Sequence, residues 1–171
     1  MPKNFSTQLS GQIGESLVVS ELGRRGIVAT AFAGNVPDID LLAYKNGVST
    51  AIQVKAQKTG SISVNAEHFL TLKFNGDVQS VAGISQEIDR SLVFVIVFVG
   101  NKCGEDEFYV CEQGYIQDII CKNHSSFLKK HNGIRPRQPK STHCSYYKSD
   151  IAEMKDNWAL IESRLDSSSR V

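Results

Sequence analysis

Residues 37–55 hold the side chains best suited to chemistry: Pro37-Asp38-Ile39-Asp40, an Asn46-Gly47 pair, and Gln53-Val54-Lys55. Asn-Gly between runs of alternating apolar residues signals a two-residue hairpin, because both residues tolerate the positive φ of the tight turn. With that pair at the tip, Lys45 faces Val48, Asp40 faces Gln53 and Asp38 faces Lys55. Strand alternation then sends Asp38, Asp40, Gln53 and Lys55 to one face and Ile39, Leu41, Ile52 and Val54 to the other. Gathering two carboxylates, an amide and an ammonium on one patch costs desolvation energy unless a metal or a substrate offsets it.

Such a set suits phosphodiester hydrolysis. That reaction needs a cation to polarise the phosphoryl oxygen and activate water, and a second positive group near the developing charge. Magnesium takes hard oxygen ligands and keeps several waters, so one or two carboxylates with a neutral carbonyl suffice to hold it. Asp40 is the first-choice ligand and Gln53 the supporting one, with Lys55 supplying the positive charge.

The arrangement resembles the PD-(D/E)XK nuclease superfamily, whose restriction-endonuclease-like fold includes Holliday junction resolvases. In that pattern an Asp begins the second core strand, and an acid, any residue and Lys end the third. Here Gln53 replaces the acid of the tail motif, which removes one negative charge from the metal site. The literal Pro-Asp pair is Pro37-Asp38, but Asp40 matches the resolvase-like distance to the Asn-Gly turn and the lysine, which leaves Asp38 as a helper. The resemblance also implies a glutamate on the first helix. Glu15, within Gly11-Gln12-Ile13-Gly14-Glu15, fits it, and on a helix from Ser10 it shares a face with Val18, Val19 and Leu22.

The resemblance implies an α/β fold of helix, three strands, helix and strand, with a central mixed sheet flanked by helices. It implies a nuclease acting on DNA with Mg2+ or Mn2+ held by Glu15, Asp40 and Gln53. Related nucleases pair up to cut both strands, so a homodimer is compatible, although no residue marks a dimer face. A second reading is a nuclease-fold module that binds DNA or protein without catalysis, and Gln53 is the residue that favours it.

The chain has 171 residues, which suits one domain spanning 1–171. The longest apolar run, 92–99, is far too short to cross a bilayer, and Met1-Pro2-Lys3-Asn4 lacks the apolar core of a secretory signal, so a cytoplasmic protein without a membrane partner is expected. Cys103, Cys111, Cys121 and Cys144 follow no paired-ligand spacing, which favours free thiols and surface histidines over a zinc site. The net charge of +1 is unevenly spread: residues 119–149 contain no acid but seven Lys and Arg, leaving the rest at −6. Within that tract Lys129, Lys130, Arg135, Arg137 and Lys140, near aromatic residues, are the candidates for backbone phosphates.

Apolar spacing and turn residues divide the chain further. The first helix covers 10–25 and ends at Gly26, and strands follow at 27–32, 39–44 and 50–55, with a turn at 34–37. Residues 60–75 alternate like a hairpin, and 77–90 carry Val78, Val81, Ala82 and Ile88 at near-helical spacing. A central strand at 92–99, a strand at 107–111 and a helix at 113–130 complete the sheet. Two prolines make 133–148 an extended basic arm, followed by a terminal helix at 150–165 that carries Trp158 as an anchoring side chain.

Overall fold

The computed structural model describes residues 3–32, 38–58 and 60–166, so the turn expected at 34–37 lies outside the described residues. Along the chain come α1 (Lys3–Arg24), β1 (Val28–Ala31), β2 (Leu41–Lys45), β3 (Val48–Gln57), β4 (Ser61–Asn65), β5 (Leu70–Asn75) and β6 (Val78–Ile84). Then follow β7 (Val93–Phe98), β8 (Glu107–Glu112), α2 (Gln113–Lys130), β9 (His143–Tyr147) and α3 (Ala159–Leu165). The chain folds as two compact units, the first made of Met1–Gly60, Leu92–Glu112 and Ile151–Val171, the second of Ser61–Ser91 and Gln113–Asp150.

In the first unit five strands form one mixed sheet in the order β1-β2-β3-β7-β8. The hairpin forms as its turn residues require: Lys45 pairs with Val48, and Asn46 and Gly47 take φ of +50° and +84°. β3 and β7 run parallel, whereas β1–β2, β2–β3 and β7–β8 are antiparallel. A parallel pair buried on both faces explains the unbroken apolar run of β7, all six of whose residues are buried. On one face Ile52, Val54, Val95, Val97 and Val110 form a single core with Val18 and Leu22 of α1 and Ile161 and Leu165 of α3. α1 stops at a left-handed glycine. Gly26 has φ +70° and the Ile27 N–H reaches back to the Leu22 carbonyl at 3.0 Å, which closes the helix end.

Trp158 fills the anchoring role read from the sequence: it is 4% exposed, its ring lies 5.4 Å from that of Phe108, and the Arg25 guanidinium sits 4.5 Å over it. The terminal helix is shorter than expected. Residues Lys148–Met154 form a 3-10 turn, Asp156 turns left-handed with φ +52° while its N–H bonds the Phe108 carbonyl at 2.9 Å, and only then does α3 begin. Among the described residues no helix is long and apolar enough to cross a membrane.

In the second unit β4 pairs with β9 and β5 pairs with β6, so the hairpin expected within 60–75 does not form. The helix expected at 77–90 is also absent. Gly76 (φ +59°) and Asp77 turn the chain so that β6 pairs along β5, and Gln79 rather than the apolar Val78 becomes the buried side chain. Strand pairing overrode a helical spacing that Gly83 had already weakened. Nor is 133–148 a free arm. The Gln79 N–H bonds the Gly133 carbonyl at 2.8 Å, its side-chain amide bonds the Pro139 and Ser141 carbonyls, and 143–147 is strand β9. Prolines barred helix there, but the unpaired edge of β4 offered the segment a strand partner.

A second buried amide ties α2 in place. Gln117 is fully buried, and its Nε2 donates to the carbonyls of Phe69 at 2.7 Å and Ser85 at 3.0 Å, while Arg90 donates to its Oε1. Replacing Gln117 by Leu removes the donor to the Ser85 carbonyl and one of two donors to the Phe69 carbonyl, which keeps the Ser85 N–H at 2.8 Å, and takes away an acceptor of Arg90. The substitution should cost about 1–3 kcal/mol of stability in urea unfolding, a loss that a surface polar-to-apolar change would not produce.

Candidate active site

One glycine and one hydrogen bond set the site's shape. Gly14 lies where α1 meets β3, and a Cβ on it would collide with the Cβ of Ala56 and approach Val54 Cγ1 at 3.7 Å. The missing side chain lets the helix backbone come close to the strand. Glu15, the next residue, is thereby held half-buried beside the sheet. Burial first, and the charge of Asp40 second, push its carboxyl above the usual carboxylate range. Asp40 is therefore near enough for its charge to act on Glu15.

Asp40 is fixed from three sides. Its N–H donates to the Ile52 carbonyl at 3.0 Å, its carbonyl accepts the Phe32 N–H at 3.1 Å, and its Oδ2 accepts the Val54 N–H at 2.7 Å. The β2–β3 ladder closes at Leu41–Ile52, one step short of the pairing that would set Asp40 squarely opposite Gln53. Beyond that step the two strands part, and the Asp40 carboxylate takes the Val54 N–H that a β2 carbonyl would otherwise have taken. A strand N–H points sideways within the sheet, so the carboxylate sits between the two faces rather than on one of them.

The early end of the ladder changes the rest of the expected patch. Asp38 does not face Lys55: it is exposed, in a left-handed conformation with φ +62°, outside the paired strand. An Asp tolerates that region better than most residues, which suits it to the turn that enters the site. Gln53 is half-buried and Lys55 exposed, and alternation along β3 sends both to the face opposite Val54, hence opposite α1. Among the described residues Lys55 makes no ion pair with Glu15, Asp38 or Asp40. The structure thus brings the Asp40 charge to bear on Glu15 where β2 and β3 part, whereas Gln53 and Lys55 leave β3 on the other face.

No group of three or more His, Cys, Asp and Glu side chains is assembled for a metal among the described residues. The donor set is smaller: the carboxylates of Asp40 and, from α1, Glu15, with the Gln53 amide leaving β3 on the other face. Hard oxygen donors of that number fit a cation that keeps most of its water, as magnesium does. Burial pushes the Cys111 thiol up to about 12 and that of Cys144 upward as well, so neither offers a thiolate.

The Val54 main-chain donor could not be found from sequence, because any residue type supplies an N–H. His124 departs from the surface position expected of the histidines. It is 1% exposed, on the buried stripe of α2 with Ile116, Ile120 and Leu128, and that fourfold spacing was the signal to follow. Of the basic residues, Lys129, Lys130 and Arg137 are exposed, Arg135 lies 4.6 Å over the Phe127 ring, and Lys140 is engaged with Asp77 at 3.9 Å and with the Gly76 carbonyl.

The first unit's mixed sheet flanked by helices is a nuclease-like α/β fold. The solved structure of a bacterial homing endonuclease shares it, with a TM-score of 0.53 and 16% sequence identity over 96% of this chain and 97% of that one. At that identity the likeness speaks for the fold. No family model matches the sequence, and no curated protein matches it.

A carboxyl whose folded-state pKa is raised binds more protons folded than unfolded, so stability falls as pH climbs from the ordinary carboxylate range through the raised value. Glu15→Gln should therefore be more stable than the parent protein at neutral pH, with the advantage shrinking as pH drops through the raised Glu15 value and gone below the ordinary carboxylate range. Urea unfolding at a series of pH values reads this directly, and a constant difference across pH would contradict the raised Glu15 pKa.

Proposed function

We propose that the chain is a metal-dependent endonuclease of the PD-(D/E)XK type acting on DNA, with Glu15, Asp40, Gln53 and Lys55 as its active site. The observation that carries the reading is the pinned Asp40 carboxylate beside a half-buried Glu15, two like charges held together where the sheet opens. Such a pair is destabilising on its own account and is expected at functional sites. The nuclease-like fold supports the assignment, and a nucleic-acid substrate accords with the homing endonuclease that shares it.

In this reading Asp40 and Glu15 hold Mg2+ or Mn2+ together with the Gln53 amide oxygen. The bound cation would polarise the phosphoryl oxygen and lower the pKa of the attacking water. The protein's own part is to position and to stabilise. Asp40 keeps its orientation through the Val54 N–H, leaving Oδ1 outside that bond. Glu15 contributes negative charge to the pair and, at its raised pKa, can take a proton from water. Lys55, exposed and without an acidic partner among the described residues, has a stem long enough to bring its ammonium to the phosphate, where it offsets the charge that builds on the nonbridging oxygens. Exposed Lys129, Lys130 and Arg137 bind the DNA backbone.

Gln53 favours the other reading, a nuclease-fold module that binds DNA without cutting it. Supercoiled plasmid incubated with Mg2+ or Mn2+ separates the two. Nicking should fall by about 10²–10³ in Asp40→Asn, which keeps an acceptor for the Val54 N–H, and by a similar factor in Lys55→Ala. Gln53→Glu should lower the metal concentration needed for half-maximal cleavage. DNA binding that weakens with salt, without cleavage by any of these proteins, would establish the module instead.

A further inference from the structure

The second unit contains a pocket of about 460 Å3 between α2 and β9 that no part of the cleavage reading uses. Its size is in the range of small-molecule sites. His124 lines it, 1% exposed, and its Nε2 is buried with no hydrogen-bond partner. A buried imidazole nitrogen left unpaired costs stability, and a bound ligand is one way to satisfy it. Burial, and secondarily Arg135, lower the His124 pKa, which keeps the ring neutral.

The remaining groups restrict what can bind. Arg135 lines the pocket with its Cζ 4.6 Å over the Phe127 ring centroid, which places a guanidinium in the wall. Asp150 forms part of another. Its Oδ2 accepts the Tyr147 N–H at 2.8 Å and lies 3.4 Å from the Asn123 amide nitrogen, and neither bond uses Oδ1. Tyr147, 54% exposed, adds an aromatic surface at the rim. A free anion would meet the Asp150 carboxylate, and a metal cation would meet the guanidinium. A neutral planar ligand with donors on one side and acceptors on the other avoids both conflicts. Guanine has this pattern: its N1 and N2 hydrogens suit a carboxylate, and its O6 and N7 suit a guanidinium. Adenine and cytosine offer a carboxylate only their exocyclic amine, and thymine offers no such donor pair.

We propose that this pocket binds a guanine base, with Asp150 accepting from its Watson–Crick edge, Arg135 donating to its O6 and N7 side, and His124 completing the polar lining. The base can come from a free nucleotide or from an unstacked position in a nucleic-acid strand. The site goes beyond the cleavage reading and does not depend on it.

The test uses the full-length protein in EDTA, so that no cleavage occurs. In one arm GMP, AMP and CMP are titrated calorimetrically. In the other, a labelled thymidine oligonucleotide with or without one central guanine is titrated by fluorescence anisotropy. Guanine should bind at least about tenfold tighter than the other bases in one of the arms. Preference among mononucleotides identifies a free-nucleotide site, and preference only among oligonucleotides identifies a strand-base site. The His124 ring resonances should move on addition of the preferred guanine ligand and stay fixed on addition of its counterpart lacking guanine. Arg135→Gln and Asp150→Asn should each erase the preference while far-ultraviolet circular dichroism stays unchanged. No guanine preference in either arm, or a preference that leaves His124 unmoved, would overturn the proposal. So would a preference that persists in folded Arg135→Gln. Because neither arm reads cleavage, a failure here leaves the assignment of the first unit untouched, and an inactive first unit leaves this one standing.

Discussion

The hydrogen bond from the Val54 N–H to the Asp40 carboxylate is the contact on which the candidate site depends. It forms because the β2–β3 ladder stops at Leu41–Ile52, leaving a strand donor that must find an acceptor. A carboxylate meets that need and is fixed in the process. It is held at the plane of the sheet, where a helix on one face and a strand's outward side chains on the other can both reach it. Had the hairpin paired one residue further, Asp40 would stand on a single face and Glu15 would be across the sheet from it.

α1 is the second constraint. It approaches β3 closely only because Gly14 has no side chain to meet Ala56, and its buried residues Val18 and Leu22 fix its rotation against the sheet core. That core extends through β7 and β8 to α3, where Ile161 and Leu165 are fully buried. Burial of this kind contributes about 1.5–3 kcal/mol per large apolar side chain, enough to hold a strained pair of carboxylates in place. The pair offsets some of that stability, as active-site charge clusters commonly do.

Much of the first unit was legible in the sequence because its elements are specified locally. Asn46-Gly47 dictated the hairpin, Gly26 ended α1, and the unbroken apolar run of β7 marked a strand covered on both faces. Glu15 was readable as a carboxylate on the helical stripe, but its nearness to Asp40 was not, because the expected register put Asp40 on the face away from α1. Asp38 was misplaced because register arithmetic assumes the ladder continues, and no residue announces where two strands part. The second unit was read poorly for a related reason. β4 finds its partner in β9, far along the chain, and the segment with two prolines reads as an extended arm because nothing nearby in sequence specifies pairing. His124 escaped notice because residue type was weighed above its place on the α2 stripe.

The central claim is that Glu15 and Asp40 form one cation site, and Mn2+ binding followed by electron paramagnetic resonance tests it most directly. The account predicts one tightly held ion per chain at neutral pH. Its affinity should fall at least about tenfold in Asp40→Asn and in Glu15→Gln, and should weaken as pH is lowered through the raised Glu15 value, because protonating a ligand competes with the metal. Binding that is unchanged in both variants would contradict it.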